Sequence, residues 1–177
     1  CYDLKADKLV NFFVEDGQQT LPQGIRRFVI DSEETLWAGL YYNDIYMSTG
    51  NFDSLSVADL SNGSFRNDNI EGLAVSREAS NVIYAASVRK GLCAIDTKQS
   101  TVKTLFDFPD DVVPQEICLD PGKCIWIPTT RGLYRYDLID NSYIVLYENP
   151  DDRFSLSDNY VYTVFVDNSG GVWAGTK

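Results

Sequence analysis

The chain has 177 residues and no histidine. That absence removes Ser-His-Asp and Cys-His nucleophilic catalysis, the commonest general base at neutral pH, and the commonest zinc ligand. It is the strongest argument in the sequence against an enzyme, and no cofactor or metal is expected. Positive charge is scarce too: 15 Lys and Arg stand against 26 Asp and Glu, a net charge of −11. Such a surface repels phosphate backbones, so nucleic acid is not an expected partner. No apolar run approaches the ~20 residues of a membrane-spanning helix, and no signal-peptide pattern opens the chain. Direct membrane contact by this segment is therefore not expected. Four cysteines are present (Cys1, Cys93, Cys118 and Cys124), with no Cys-x-x-Cys pair. A two-residue loop within Asp120-Pro-Gly-Lys would set Cys124 opposite Leu119 and place Cys118 on the other face of the sheet, which argues against a disulfide between them. Free, mostly buried thiols are the expectation. Helical periodicity is missing as well, so helix should make up less than about a tenth of the chain against the usual third.

What the chain does contain is a repeat around a large aromatic residue. Asp31-Ser-Glu-Glu-Thr-Leu-Trp37, Asp120-Pro-Gly-Lys-Cys-Ile-Trp126 and Asp167-Asn-Ser-Gly-Gly-Val-Trp173 are three copies, and Ser76-Arg-Glu-Ala-Ser-Asn-Val-Ile-Tyr84 is a degenerate fourth. The aromatic anchors step by 47, 42 and 47 residues. A period of about 40–50 residues signifies stacked supersecondary units. A second element keeps the same register: Tyr2-Asp-Leu4, Ala58-Asp-Leu60, Ile95-Asp-Thr97 and Tyr136-Asp-Leu138 each end an apolar run, and polar turn residues and a second apolar run follow. The hairpin signal is strongest at Ser61-Asn-Gly-Ser64, because Asn-Gly suits two positive-φ positions. Each unit then has four strands. Strand A ends at the first Asp, B carries the aromatic, C ends at the second Asp, and D returns. Alternating aromatic and β-branched residues, as in Tyr160-Val-Tyr-Thr-Val-Phe-Val, support strands throughout.

Radially repeated four-stranded antiparallel units are blades of a β-propeller. The expected fold is thus all-β: a propeller segment of three full blades and two half-blades. Residues 1–14 supply strands C and D of a preceding blade. Full blades occupy 22–66, 69–106 and 115–147, and 160–177 supply strands A and B of a following blade. The two half-blades expose strand edges that template association. Partners are therefore expected in further blades of a longer propeller or in a second copy.

The stretch Ser155-Leu-Ser-Asp-Asn-Tyr-Val-Tyr-Thr-Val-Phe-Val-Asp-Asn-Ser-Gly-Gly-Val-Trp-Ala-Gly-Thr176 resembles the two-component-regulator propeller repeat. That repeat reads Ser-Leu-Ser, a strand ending in Asp, then Gly-x-Leu-Trp-Ile-Gly-Thr, and further on Gly-Leu…Tyr-Asp. The last part stands here as Thr129-Thr-Arg-Gly-Leu-Tyr-Arg-Tyr-Asp137 and Gly91-Leu-Cys-Ala-Ile-Asp96. The resemblance implies the periplasmic sensor half of a hybrid two-component histidine kinase, of the kind found in bacteria that degrade complex glycans. An Ig-like domain, a transmembrane helix and a kinase would then follow elsewhere in the parent. WD40 blades fit less well, since neither Gly-His nor Trp-Asp occurs.

Repeated residues read as scaffold. The three Trp side chains are expected to be buried wedges between neighbouring sheets, and Asp31, Asp120 and Asp167 to accept backbone N–H bonds in the A–B turn. Gly122 and Gly170 should supply positive φ in that turn, with Gly91 and Gly132 as backbone-conformation residues opening strand C. The acidic pairs Asp110-Asp111 and Asp151-Asp152 lack the alternating spacing of a calcium loop and read as solvated charge.

Departures from the repeat carry the functional signal. Trp126 to Asp137 spans 11 residues but Trp37 to Asp59 spans 22, which predicts an 11-residue insert between strands B and C of the first blade, within Tyr41–Asp53. The B–C connections converge on one face, and Tyr41, Tyr42, Asn43, Arg89, Lys90 and Arg131 all fall in them. Aromatic faces stack on sugar rings while Arg and Asn supply directional donors; Arg131 suits an acidic sugar, since its guanidinium binds a carboxylate bidentately. An oligosaccharide is the expected ligand. Two other classes stay open: a protein-interaction scaffold, and a polysaccharide lyase-type enzyme using Tyr and Arg.

Overall fold

A computed structural model describes residues 24–42, 44–48, 54–61, 65–121 and 123–177, with the backbone of three two-residue strands before them. Those three are β1 (Tyr2–Asp3), β2 (Lys8–Leu9) and β3 (Phe13–Val14). β1 and β2 form an antiparallel pair, while β3 runs parallel to the outer strand of the first blade. That blade comprises β4 (Ile25–Ile30), β5 (Leu36–Leu40), β6 (Ile45–Ser48) and β7 (Ser54–Val57). The second comprises β8 (Ile70–Val75), β9 (Val82–Ser87), β10 (Gly91–Asp96) and β11 (Thr101–Phe106). In the third are β12 (Cys118–Leu119), β13 (Cys124–Thr129), β14 (Gly132–Asp137) and β15 (Tyr143–Leu146), and β16 (Val161–Val166) pairs with β17 (Val172–Thr176) as a final two-stranded sheet. No helix occurs among the described residues. The fold is all-β, built from the four-stranded antiparallel blades of a propeller.

Neighbouring blades bury apolar faces against one another. Trp37, Ile45 and Phe65 pack with Ile70, Leu73, Ile83 and Ile95 between the first two blades. Leu92 and Ala86 meet Val112, Ile117, Ile125 and Ile127 between the second and third. Trp126 and Leu133 close on Val161 and Val164 of the last sheet. Polar ties cross the innermost strands too: the Arg27 guanidinium donates to the Gln115 carbonyl at 2.9 Å, and Glu116 Oε1 accepts from Thr163 Oγ1 at 2.6 Å and the Val164 amide at 2.7 Å. Gly72 lies where the second and third blades touch by backbone; a Cβ there would stand 2.7 Å from the Ile117 nitrogen and 2.8 Å from the Glu116 carbonyl carbon. Gly72→Ala is therefore expected to destabilise by about 1–3 kcal/mol, the usual cost of overpacking, seen as a lower urea midpoint with an unchanged slope.

The turn acids do more than cap backbone. Asp31 Oδ1 accepts from the Glu33 and Thr35 amides, both at 2.9 Å, and its Oδ2 accepts the Trp37 indole N–H at 2.8 Å. Asp120 and Trp126 repeat the indole bond at 3.0 Å, as do Asp167 and Trp173 at 2.8 Å. Spacing foresaw the amide bonds but not the indole clamp. Trp37 and Trp126 are buried at 3% and 8% exposure, whereas Trp173 is 66% exposed, on a sheet face that no described blade covers. Gly170, Gly91 and Gly132 have the expected positive φ; Gly122 lies outside the described residues.

Two expectations need correction. The first blade has no 11-residue insert between strands B and C: strand B ends at Leu40, strand C is β6 at Ile45–Ser48 and strand D is β7 at Ser54–Val57. Asp59 imitated the aspartate that ends strand C, but it stands exposed in the connection after strand D. Tyr46, within the expected insert, is a core residue at 7% exposure, and Phe65 belongs to the inter-blade core. The Asn62-Gly63 hairpin lies outside the described residues. Secondly, Leu119 pairs with Ile125 and Cys118 with Trp126, because Asp120 closes a four-residue turn onto the Cys124 carbonyl. The two thiols are therefore not on opposite faces. Cys93 and Cys118 are free thiols, the Cys124 thiol donates to Asp137 Oδ2 at 3.7 Å, and burial pushes the Cys93 thiol up to about 11.

Candidate functional site

Every B–C turn is tied to a connection between strand D of one blade and strand A of the next, which builds one continuous face. In the first blade Tyr42, at φ 53°, donates its amide to Asn69 Oδ1 at 3.0 Å. Tyr41 and Tyr42 pack edge-to-face with centroids 4.2 Å apart, and both are exposed. The Tyr42 hydroxyl and its charge raise the Tyr41 phenol above its ordinary value. The Arg26 guanidinium lies 5.2 Å from the Tyr41 ring and pairs with Glu71 at 2.9 Å. Glu71 is 4% exposed; burial raises its carboxyl against the opposing pull of Arg26 and Arg27.

Arg89 and Lys90 form the next B–C turn and gather around the same connection. Asp68 Oδ1 accepts the Arg89 amide at 3.0 Å, and the Arg89 side chain reaches the Asn67 carbonyl at 3.4 Å. The Lys90 ammonium sits 5.5 Å from the Phe65 ring. Four of the sequence-derived residues, Tyr41, Tyr42, Arg89 and Lys90, thus surround residues 65–71. Asn43 lies outside the described residues.

Arg131 belongs to the third blade and borders a separate cleft of about 330 Å³, which Asp111, Val112, Tyr134, Tyr147 and Asn159 also line. The turn is held by Thr129 Oγ1, which accepts the Arg131 amide at 3.0 Å, and by the Thr130 amide, which donates to the Val113 carbonyl at 3.0 Å. Arg131 Nε pairs with Asp111 at 2.9 Å, but the two side chains are 62% and 58% exposed. Exposed pairs contribute about 0–1 kcal/mol, so a ligand carboxylate can compete for this guanidinium. Behind it the Tyr134 and Tyr143 rings stack with centroids 6.0 Å apart, and Phe108 meets Tyr134 edge-on at 5.6 Å. Burial, with Tyr147 and Tyr143 adding to it, pushes the Tyr134 phenol up to about 12, keeping it a neutral hydroxyl. Half-exposed Tyr147 stands at the cleft. One cation, an accessible ring and amide and phenol groups in a small cleft can hold a polyhydroxylated ring bearing an acidic group.

Sequence reasoning placed Arg131 here but missed Asp111, Tyr134, Tyr147 and Asn159. In the sequence Asp111 reads as solvated charge; in the structure it pairs with Arg131. Tyr134 and Tyr147 sit in or beside strands and show no motif of their own.

Residues 155–177 match the family described as Two component regulator propeller. Over 181 aligned residues the chain is 27% identical to Histidine kinase P4 of Formosa agariphila, covering 97% of this chain and 11% of that protein. Among solved structures it is similar to the extracellular domain of a putative hybrid two component system of B. thetaiotaomicron, with a TM-score of 0.81 at 18% identity over 99% of this chain and 23% of that one. PorZ, a surface component of the type-IX secretion system of Porphyromonas gingivalis, shares the fold with a TM-score of 0.73 at 14% identity, over 99% of this chain and 27% of that one. The chain therefore carries a two-component-regulator propeller repeat and spans a small fraction of each of these proteins.

Proposed function

We propose that this segment is part of the sensor of a hybrid two-component system, facing the periplasm of a cell whose inner membrane anchors the parent protein, and that it binds or relays the binding of an acidic oligosaccharide. The observation that carries the sensor reading is the regulator-propeller repeat at residues 155–177, supported by likeness to a histidine kinase along nearly the whole chain. The ligand reading rests on the Arg131 cleft. The segment itself has no catalytic role in this reading; phosphoryl transfer belongs to another part of the parent. Ligand binding regulates by favouring one of two arrangements of the receptor.

Titration of wild type with an oligogalacturonide, a hyaluronan fragment and a neutral xylo-oligosaccharide tests the ligand reading. One acidic sugar is expected to bind, and an Arg131→Ala/Tyr147→Ala variant to weaken it about tenfold or more, the size of one charge-assisted bond with an aromatic contact. Equal affinity in both proteins would move the site to the Tyr41–Arg89 region or off this segment.

A second reading, an interaction scaffold, draws on the uncovered face of β16–β17, where Tyr162, Phe165 and Trp173 are 50%, 63% and 66% exposed. A further blade of the parent or a second copy would cover it. The isolated segment is expected to self-associate at micromolar concentration; a concentration-independent monomer in sedimentation would count against this.

A further inference from the structure

The second blade departs from the turn that its three sister units share. In those units the aspartate amide closes the A–B turn onto the carbonyl four residues on: Asp31 onto Thr35, Asp120 onto Cys124, Asp167 onto Gly171. In the second blade Ser76 takes the aspartate's place, and its amide reaches the Val82 carbonyl instead. The turn is two residues longer, and Tyr84 stands where the others have Trp. In the first and third blades the indole, Trp37 or Trp126, fills the space between its own blade and the strand A of the next. Trp126 packs in one cluster with Val166, the residue just before Asp167. The equivalent neighbour of Tyr84 is Leu119, just before Asp120. Here the space is not filled: a cleft of about 320 Å³ opens between the second and third blades, lined by Ser76, Arg77, Tyr84, Leu119, Lys123 and Leu138 among others. It lies at the A–B turns, the end of the blades opposite the Arg131 cleft.

We propose that this cleft binds a small aromatic carboxylate, with the ring in the position that an indole occupies in the sister blades. The walls supply the apolar part, Leu119 and Leu138 on one side and the Tyr84 ring on the other. The acid follows from what the polar groups have left to give. Ser76 Oγ accepts the Glu78 and Ala79 amides at 3.3 and 3.2 Å, so its hydroxyl proton remains to be donated. Asp120 is fully engaged, Oδ1 with the Cys124 amide and Oδ2 with the Trp126 indole. Glu78 is paired with Lys123 at 2.8 Å. Arg77 is exposed and makes no ion pair among the described residues. The Ser76 proton and the Arg77 guanidinium are donors left to give, and the Tyr84 hydroxyl can donate too; a carboxylate satisfies them and a neutral ring does not. This site is separate from the Arg131 cleft in place and in ligand.

Ligand-observed NMR with indole-3-acetate, against indole and acetate alone, tests the assignment on the whole chain. Indole-3-acetate is expected to saturate the protein with a Kd of about 1 mM or tighter, and each half alone to bind about tenfold more weakly or worse. Tyr84→Trp, which restores the sister residue, should fill the cleft and abolish the effect. Arg77→Ala, a surface change that leaves the core alone, should weaken binding about tenfold. No saturation up to about 10 mM, or an affinity unchanged in both Tyr84→Trp and Arg77→Ala, would overturn the site. Indole binding as tightly as indole-3-acetate would overturn the carboxylate.

Discussion

Trp126→Ala is expected to destabilise the chain by about 3–5 kcal/mol, the range for truncating a large core aromatic. The side chain is 8% exposed and packs with Leu133, Val161 and Val164. Its indole N–H bonds Asp120 Oδ2 at 3.0 Å, and the Arg135 guanidinium lies 5.9 Å from its ring. Truncation would open a cavity between the third blade and β16–β17 and strip the carboxylate of a donor. The loss should appear in urea unfolding together with early exchange of the β16 amides. Trp173→Ala is the internal control: the same motif with a 66% exposed ring should change stability by no more than about 0.5–1 kcal/mol. Equal losses for the two would mean that the indole works through its clamp and not through burial.

Asp31→Ala is expected to cost about 2–6 kcal/mol, because it leaves two buried donors, the Thr35 amide and the Trp37 indole, unpaired at about 1–3 kcal/mol each. Asp31 is 8% exposed, and its two oxygens take the Trp37 indole and the Glu33 and Thr35 amides. Asp31→Asn should rescue only part of this. An amide oxygen can serve the turn amides, but the NH₂ group then faces the indole N–H, donor against donor. Denaturant melts of the three proteins check the order: wild type, then Asn, then Ala.

The same clamp gives stability a pH dependence. The Ser169 hydroxyl, the Trp173 indole and the Gly171 amide hold the Asp167 carboxyl well below the usual carboxylate range. Its folded value is depressed, so its contribution is complete above the unfolded value of about 4 and fades as pH falls toward the folded value. Glu71 acts in the opposite sense. Burial raises its carboxyl, so the folded state holds that proton more tightly, and stability declines as pH rises from about 4.3 through the raised value. Acid melts of Asp167→Asn should show a weaker loss of stability at low pH than wild type.

The blades were legible because the chain repeats the two residues that make a turn-to-strand clamp, Asp and Trp, at a near-constant step. The first blade was misread inside its boundaries for the same reason: Asp59 follows an apolar run just as the true strand-ending Asp96 and Asp137 do. Only tertiary pairing shows that Ile45–Ser48 and Ser54–Val57 are the ladder. Arg131 could be placed from its position before Gly132. Its companions could not, since Asp111 and Asn159 arrive through the irregular connections on either side of the blade, where no periodicity exists to read. The second cleft was visible only as a missing Asp and Trp, an irregularity whose consequence depends on how closely the third blade approaches.

Backbone chemical-shift mapping during an oligogalacturonide titration tests most directly where this segment meets its ligand. Saturable shifts are expected at the amides of Asp111, Arg131, Tyr147 and Asn159, with those of residues 76–79 at the other end of the blades unmoved. Saturable shifts confined to the A–B turns, or none at any residue while the intact receptor binds the same sugar, would contradict the Arg131 cleft as the sensing site.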